Sequence, residues 1–434
     1  MSSRGQSSFT NRWTGLVWTF IALQVLAVLF VVAAEMVPDR LVADALVRSV
    51  ERGSMTEEEY PKTGLGTTID RWSECIALTI GLGDPVDSHN VQTALSSPSL
   101  GRCQSAIPRI ASYAETGMLE RQRTYFRYWH GYATVTRPAL AALGVEGTRT
   151  IAMALAVGAL VAAVTVVSRD ASPTIAVALT LPFVLTTDFF DLGESTPHAI
   201  TIAVSWLSAA VVWRLIAKRP GPSQQVMIAM VAGSTSSFFE MMFLIPGTLA
   251  LHGAIALMQF WRDGMRGLRL WLSVLRFGAS WLLGFAGTWA AKWVAAATVM
   301  GTDVVVDDVR TQIFNRIGGE SLHVVDALGA ASLKNIQAWM ERPLTPVALA
   351  IALVVVILSM ALCIRRGRAG ADYFVLLALV SLLPLAWYET ISNHSQIHAW
   401  FTYRALPIGM AILLAGAALP LSRVPTRPRS KTSA

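Results

Sequence analysis

Residues 13–36 read WTGLVWTFIALQVLAVLFVVAAEM, an apolar run whose single charge, Glu35, stands at its far end. An α-helix rises about 1.5 Å per residue and the hydrocarbon core is about 30 Å thick, so a run of this length is what one membrane crossing needs. Working outward, the same texture returns at 149–168, 173–188, 198–217, 225–239, 241–261, 271–298, 344–364, 372–388 and 404–422. A barrel would show short alternating segments instead. The pattern therefore predicts an all-α, polytopic transmembrane bundle of about ten helices, with residues 1–434 as a single integral membrane domain. Small residues near Ala33-Ala34 resemble a leader cleavage point, but the run is too long for a leader's apolar core and reads as an uncleaved anchor.

Composition agrees. Of 434 residues, 53% are hydrophobic and 15% charged, and the mean hydropathy is +0.50. Globular domains carry about 25% charged residues. The net charge of +7 is dispersed in short clusters between apolar runs, which argues against nucleic acid as a partner. Arg4 and Arg12, Arg169, Arg214 with Lys218 and Arg219, Arg262 with Arg266 and Arg269, Arg365 with Arg366 and Arg368, and Arg423 through Lys431 all fall on alternate connections. By the positive-inside rule these face the cytoplasm, as do both termini.

The opposite face carries the long connections: 37–148, 299–343 and 389–403, with a shorter one at 188–197. The first contains amphipathic stretches at 41–52, 67–82 and 108–132, expected to lie as interfacial helices. Cys75 and Cys103 share this loop; a disulfide between them would contribute about 3 kcal/mol, and two free thiols remain the alternative. Asp70 and Glu74 are spaced for one helical face, where a carboxylate among Ile76, Ala77 and Leu78 suits a general base, or where both acids simply solvate the helix. Arg127, Tyr128 and His130 lie in an aromatic, basic stretch suited to the headgroup layer.

His394 and His398, four residues apart, precede Tyr403 and Arg404. A zinc site needs a further ligand that the sequence does not show. Two imidazoles and a guanidinium would instead hold a phosphate, or else serve as an interfacial belt with a snorkelling arginine. Asp188, Asp191, Glu194 and His198 cluster between the third and fourth runs, and Glu240 lies between the fifth and sixth, where ionised groups are expensive and more often functional. Arg276 and Lys292 in the seventh run read as snorkelling.

This arrangement resembles the GT-C superfamily of membrane glycosyltransferases: a cytoplasmic N-terminus, one helix, a long external loop with interfacial helices and an acid, then many helices. The stretches Arg127-Tyr128-Trp129-His130-Gly131-Tyr132 and Asn393 through Arg404 are similar to those of bacterial membrane proteins of this shape. The resemblance implies a bacterial cytoplasmic-membrane enzyme that transfers a sugar from a polyprenyl-phosphate donor to an envelope glycan, lipid or protein acceptor. Asp70 would be the base, with Glu74 beside it. Arg404, His394, His398, Arg127 and His130 would neutralise the leaving phosphate, and Asp70 and Arg404 would converge on one cavity with a sugar phosphate between them. No clear Asp-X-Asp occurs, so no cofactor is fixed and dependence on a divalent metal stays open. The competing readings are a transporter or flippase of a lipid-linked substrate and a non-catalytic envelope anchor.

Overall fold

The computed structural model describes residues 3–63, 68–83, 90–120, 123–318 and 324–422, with the side chains of 3–13 and Arg123 not described. His89, Arg121, His323 and the basic residues from Arg423 onward lie outside the described residues. The fold is helical apart from a two-residue antiparallel pairing of Pro98–Ser99 with Arg123–Thr124 and an isolated bridge between Lys62 and Thr68.

Among the described residues, seven helices are long and apolar enough to cross a membrane: Thr14–Glu35, Ala133–Asp170, Thr196–Ile216, Gly267–Met300, Thr345–Arg365, Ala371–Thr390 and Ala399–Leu421. The other three apolar runs are also helical but fall short of that standard. Pro173–Thr186 has 14 residues, and Pro222–Phe239 and Ile245–Arg262 have 18 each, diluted by Gln, Ser and His. All positions of Ile245–Arg262 are buried, so a helix apolar on every side becomes the bundle centre. Thr345–Arg365 turns Val347, Ile351, Val354 and Leu358 outward, as a lipid-facing helix does. Pro222–Phe239 and Gly267–Met300 touch through their backbones. A Cβ at Gly233 would strike the Trp281 carbonyl, and one at Gly284 the Met230 carbonyl.

At one end of the bundle Arg214 pairs with Asp170 at 2.7 Å, Arg262 donates to the Asp170 carbonyl at 2.8 Å, and Arg219 pairs with Asp263 at 2.9 Å. The connections after the second, fourth and sixth runs thus gather together. The long connections gather at the other end.

Three expectations for that end need correction. The helix expected from 149 starts at Ala133 and bends at Gly144, whose φ of 71° suits glycine, so the first long segment ends near 132 rather than 148. Arg137 and Arg149, which break the apolar pattern, are paired inside the protein rather than exposed in a loop. The stretch 108–132 is not one interfacial helix: Cys103–Thr116 stops at Gly117, φ 69°, and the aromatic residues beyond it form turns. Only Arg71–Leu78 of 67–82 is helical, whereas Asp39–Glu51 matches the first stretch closely. Within 299–343 two further helices form, Thr302–Ile317 and Ala330–Met340.

Candidate functional site

Asp70 is not on the Arg71–Leu78 helix but caps it, accepting the Ser73 N–H at 2.8 Å. Its other oxygen meets His198 Nε2 at 2.9 Å, and Arg404 Nη1 lies 2.8 Å from His198 Nδ1. A guanidinium can only donate, so Nδ1 is the acceptor and Nε2 carries the proton given to Asp70. Burial alone would raise the Asp70 carboxyl, but the hydrogen bond and charge of His198 and the two bonds of Ser73 hold it below the ordinary carboxylate range. One imidazole separates Asp70 from Arg404. The sugar phosphate expected between them has no room there, because His198 fills the gap.

Glu74 is not a second base. Both oxygens take Arg149, Nε at 3.0 Å and Nη2 at 2.5 Å, in a bidentate pair that is almost wholly buried. Arg71 approaches the same carboxylate at 3.7 Å and binds Glu194 at 2.5 Å. Cys75 and Cys103 form a disulfide beneath this network. Asp188 accepts from Arg342 at 2.8 Å and from the Tyr403 hydroxyl at 3.0 Å. Tyr403 and Arg404 are thereby committed to neighbours.

Asp191 sits on a short 3-10 turn, where burial and then the charge of Asp188 raise its carboxyl. Glu240 accepts the Leu244 N–H at 2.7 Å, and burial pushes it up to about 7. His130, expected to bind phosphate, uses both ring nitrogens internally, at 2.6 Å from the Tyr132 hydroxyl and 2.6 Å from the Tyr125 carbonyl. Burial drives it down to about 3, so it is neutral. Lys292 does not snorkel: it is fully buried, with Nζ on the carbonyls of Ala94 and Leu95 at 3.0 and 2.8 Å.

The unspent groups lie beside this knot. A cavity of about 290 Å³ opens among Arg127 and Tyr128 of the turn segment, Arg316 of the Thr302–Ile317 helix, and His394 and His398. Phe243 and Phe401 form part of its wall, and Phe243 stacks on His198 with ring centroids 3.8 Å apart, so the Asp70–His198 pair stands directly behind an aromatic partition. Arg316 Nη2 donates to the Tyr128 hydroxyl at 2.8 Å, while Arg127 holds Asp308 at 3.1 Å and caps the Tyr125 ring at 4.6 Å. Among the described residues no carboxylate lines the cavity.

The His394 and His398 rings are 4.6 Å apart. His394 Nε2 is buried without a hydrogen-bond partner, and burial, then His398 and Arg316, keep that ring well below its ordinary range. Burial brings His398 down to about 4, against the pull of Asp70. The cavity therefore presents two guanidiniums, two neutral imidazoles, three amides and aromatic faces, a lining suited to a phosphate with a planar or sugar-like neighbour.

Of the residues singled out from sequence, Arg127, Tyr128, His394 and His398 meet at the cavity. Asp70 and Arg404 meet each other behind it. Glu74, His130 and Tyr403 serve the scaffold, Asp188 joins them there, and Asp191 and Glu240 stand apart. Arg316 escaped notice; its signal was a basic residue in the last turn of the Thr302–Ile317 helix. Among the described residues no group of three His, Cys, Asp or Glu is placed to hold a metal ion. Compared with protein-family models, with characterised proteins and with solved structures, the chain matches none.

Proposed function

We propose that this chain is a glycosyltransferase of GT-C type, taking a sugar from a polyprenyl-phosphate donor at the external face of a bacterial cytoplasmic membrane and passing it to an envelope acceptor. The ten helical runs serve as its membrane-embedded body, with both termini in the cytoplasm. The observation that carries the reading is the cavity bounded by Arg127, Arg316, His394 and His398, cationic and, among the described residues, lined by no carboxylate, at the end of the bundle where the long connections gather. There a leaving phosphate gains charge as the sugar departs, and fixed guanidiniums in a site of low dielectric stabilise that charge strongly. Aromatic walls at Trp72, Tyr128 and Phe401 supply the faces on which sugar rings rest.

A carrier of a lipid-linked substrate is the second reading, favoured by Lys292 and His252, both fully buried within helices of the bundle. The two separate in proteoliposomes supplied with polyprenyl-phosphate sugars. An enzyme yields a product with the sugar on a new acceptor and free polyprenyl phosphate; a carrier moves the intact donor between leaflets and yields neither. No product across a broad panel of donors and acceptors would withdraw the enzyme reading.

A further inference from the structure

The resemblance drawn from sequence gives the base role to a first-loop carboxylate, yet every oxygen of Asp70 and Glu74 is engaged, and among the described residues no carboxylate lines the cavity. A transfer at this site still needs somewhere for the acceptor's proton to go. Among the described residues, the groups with lone pairs at the cavity wall are the hydroxyls of Ser73, Tyr125 and Tyr128, none of which is a base while it keeps its proton, the amide oxygens, and two imidazoles. Tyr128 is bound to Arg316 and held protonated by burial, and amides are not bases at neutral pH.

His394 is constrained. It contacts the Met242 backbone, and its Nε2 is shut away from solvent. His398 is different: it lines the cavity, and among the described residues its ring makes no hydrogen bond. Behind it stand Asp70 and His198, close enough for the carboxylate's charge to be felt at the ring.

Resting on the transferase reading above, we infer that His398, the cavity-lining imidazole with no hydrogen bond to its ring among the described residues, is the general base of this site. The acceptor hydroxyl oxygen forms its bond to the anomeric carbon as the bond from that carbon to the donor's phosphate oxygen breaks. The electron pair of the broken bond leaves on the phosphate, held by Arg127 and Arg316. The hydroxyl proton passes to a ring nitrogen of His398 and is later given up to water. No oxidant, reductant or further reactant is required.

Charges facing His398 come from every side. Asp70 raises its proton affinity; Arg316 on the Thr302–Ile317 helix and His198 on the Thr196–Ile216 helix lower it. His394 lies on its own segment, and Arg127 lies across the cavity. Burial dominates among these influences and brings the ring down to about 4. A phosphate bound between the guanidiniums adds negative charge within reach, which raises an imidazole by about 1–3 units.

The test uses the full chain in nanodiscs, with histidine ring nitrogens labelled with 15N and inorganic pyrophosphate as the probe. His398→Gln assigns the resonance by its loss. Expected is an upward shift of the His398 titration by about 1–3 pH units on saturation with pyrophosphate. It should be accompanied by a fall in sugar transfer of about 10²–10⁴-fold in His398→Gln, with pyrophosphate binding within about threefold of the parent protein, and by partial recovery of transfer in His398→Gly on adding imidazole. Binding of pyrophosphate with an unmoved His398 titration, or full transfer by His398→Gln, overturns the base assignment alone. Failure of pyrophosphate to bind overturns the phosphate-site reading and the base with it.

Discussion

Two clusters of polar residues share the end of the bundle where the long connections gather, and they are built on opposite terms. Around Arg71–Leu78, every charge is spent: Glu74 on Arg149, Arg71 on Glu194, Asp70 on Ser73 and His198. Around the cavity the rings of His394 and His398 keep unused nitrogens, and Arg316 donates to the Tyr128 hydroxyl and the Gln312 carbonyl and, among the described residues, pairs with no acid. Burial does not distinguish the two. What differs is whether hydrogen-bonding capacity has been consumed by the fold, and a protein that leaves such capacity open beside a cavity leaves it for a ligand. Acids selected from sequence as chemically capable thus turn out to hold the scaffold, while the cavity wall carries histidine and arginine.

The sharpest way to break this contrast is Glu74→Ala. Removing one partner strands the Arg149 guanidinium in a dry site, which costs about 3–5 kcal/mol. The thermal midpoint in detergent should drop sharply; a midpoint within a degree of the parent would mean that the first cluster is no scaffold. Next in size is the double change Cys75→Ser with Cys103→Ser. The bridge spans a sequence separation of 28, and its loss should cost about 3 kcal/mol, visible as a lower denaturation midpoint that reductant reproduces in the parent chain.

How far the sequence leads can be judged from these same residues. Membrane runs are legible because lipid demands length and apolarity locally: among the described residues seven helices are long and apolar enough to cross, and the other three runs are helical for most of their length. The Ala133 start was hidden, since Arg137 and Glu146 interrupt the apolar pattern and Arg137 finds its partner Glu35 far back in the chain. Glu74 meets Arg149 across 75 positions, and Asp70 meets His198 across 128. No spacing rule within one helix reports such pairs, so the carboxylates at 70 and 74 read as free when they are not. Histidines 394 and 398 were legible because both members of the pair lie one helical turn apart. Arg316 was not, because it reaches Tyr128 across 188 positions.

A third test sharpens the cavity side. Arg316→Ala should weaken pyrophosphate binding by about 10–100-fold, the worth of a charged hydrogen bond. It should cost about 1–3 kcal/mol of stability, since the buried Tyr128 hydroxyl loses its partner, well below the loss expected for Glu74→Ala. Equal affinity by calorimetry would remove Arg316 from the site. The smallest effect concerns only the slope of stability with pH. Glu240 is raised by burial to about 7, so its contribution is fully present below the ordinary carboxyl range and is lost as pH rises through 7. The midpoint of the parent chain should fall between pH 6 and 8. That of Glu240→Gln, whose amide oxygen still accepts the Leu244 N–H, should stay more nearly level, and parallel curves would refute the assignment.

The most direct measurement is photo-crosslinking in proteoliposomes, with a polyprenyl-phosphate sugar bearing a diazirine next to the phosphate and the labelled peptides read by mass spectrometry. The expected result is labelling within residues 312–316 and 393–401, competed by unlabelled donor and lost in Arg316→Ala. Labelling confined to other segments, or unchanged by Arg316→Ala, would contradict the assignment of this cavity as the place where the donor phosphate is held.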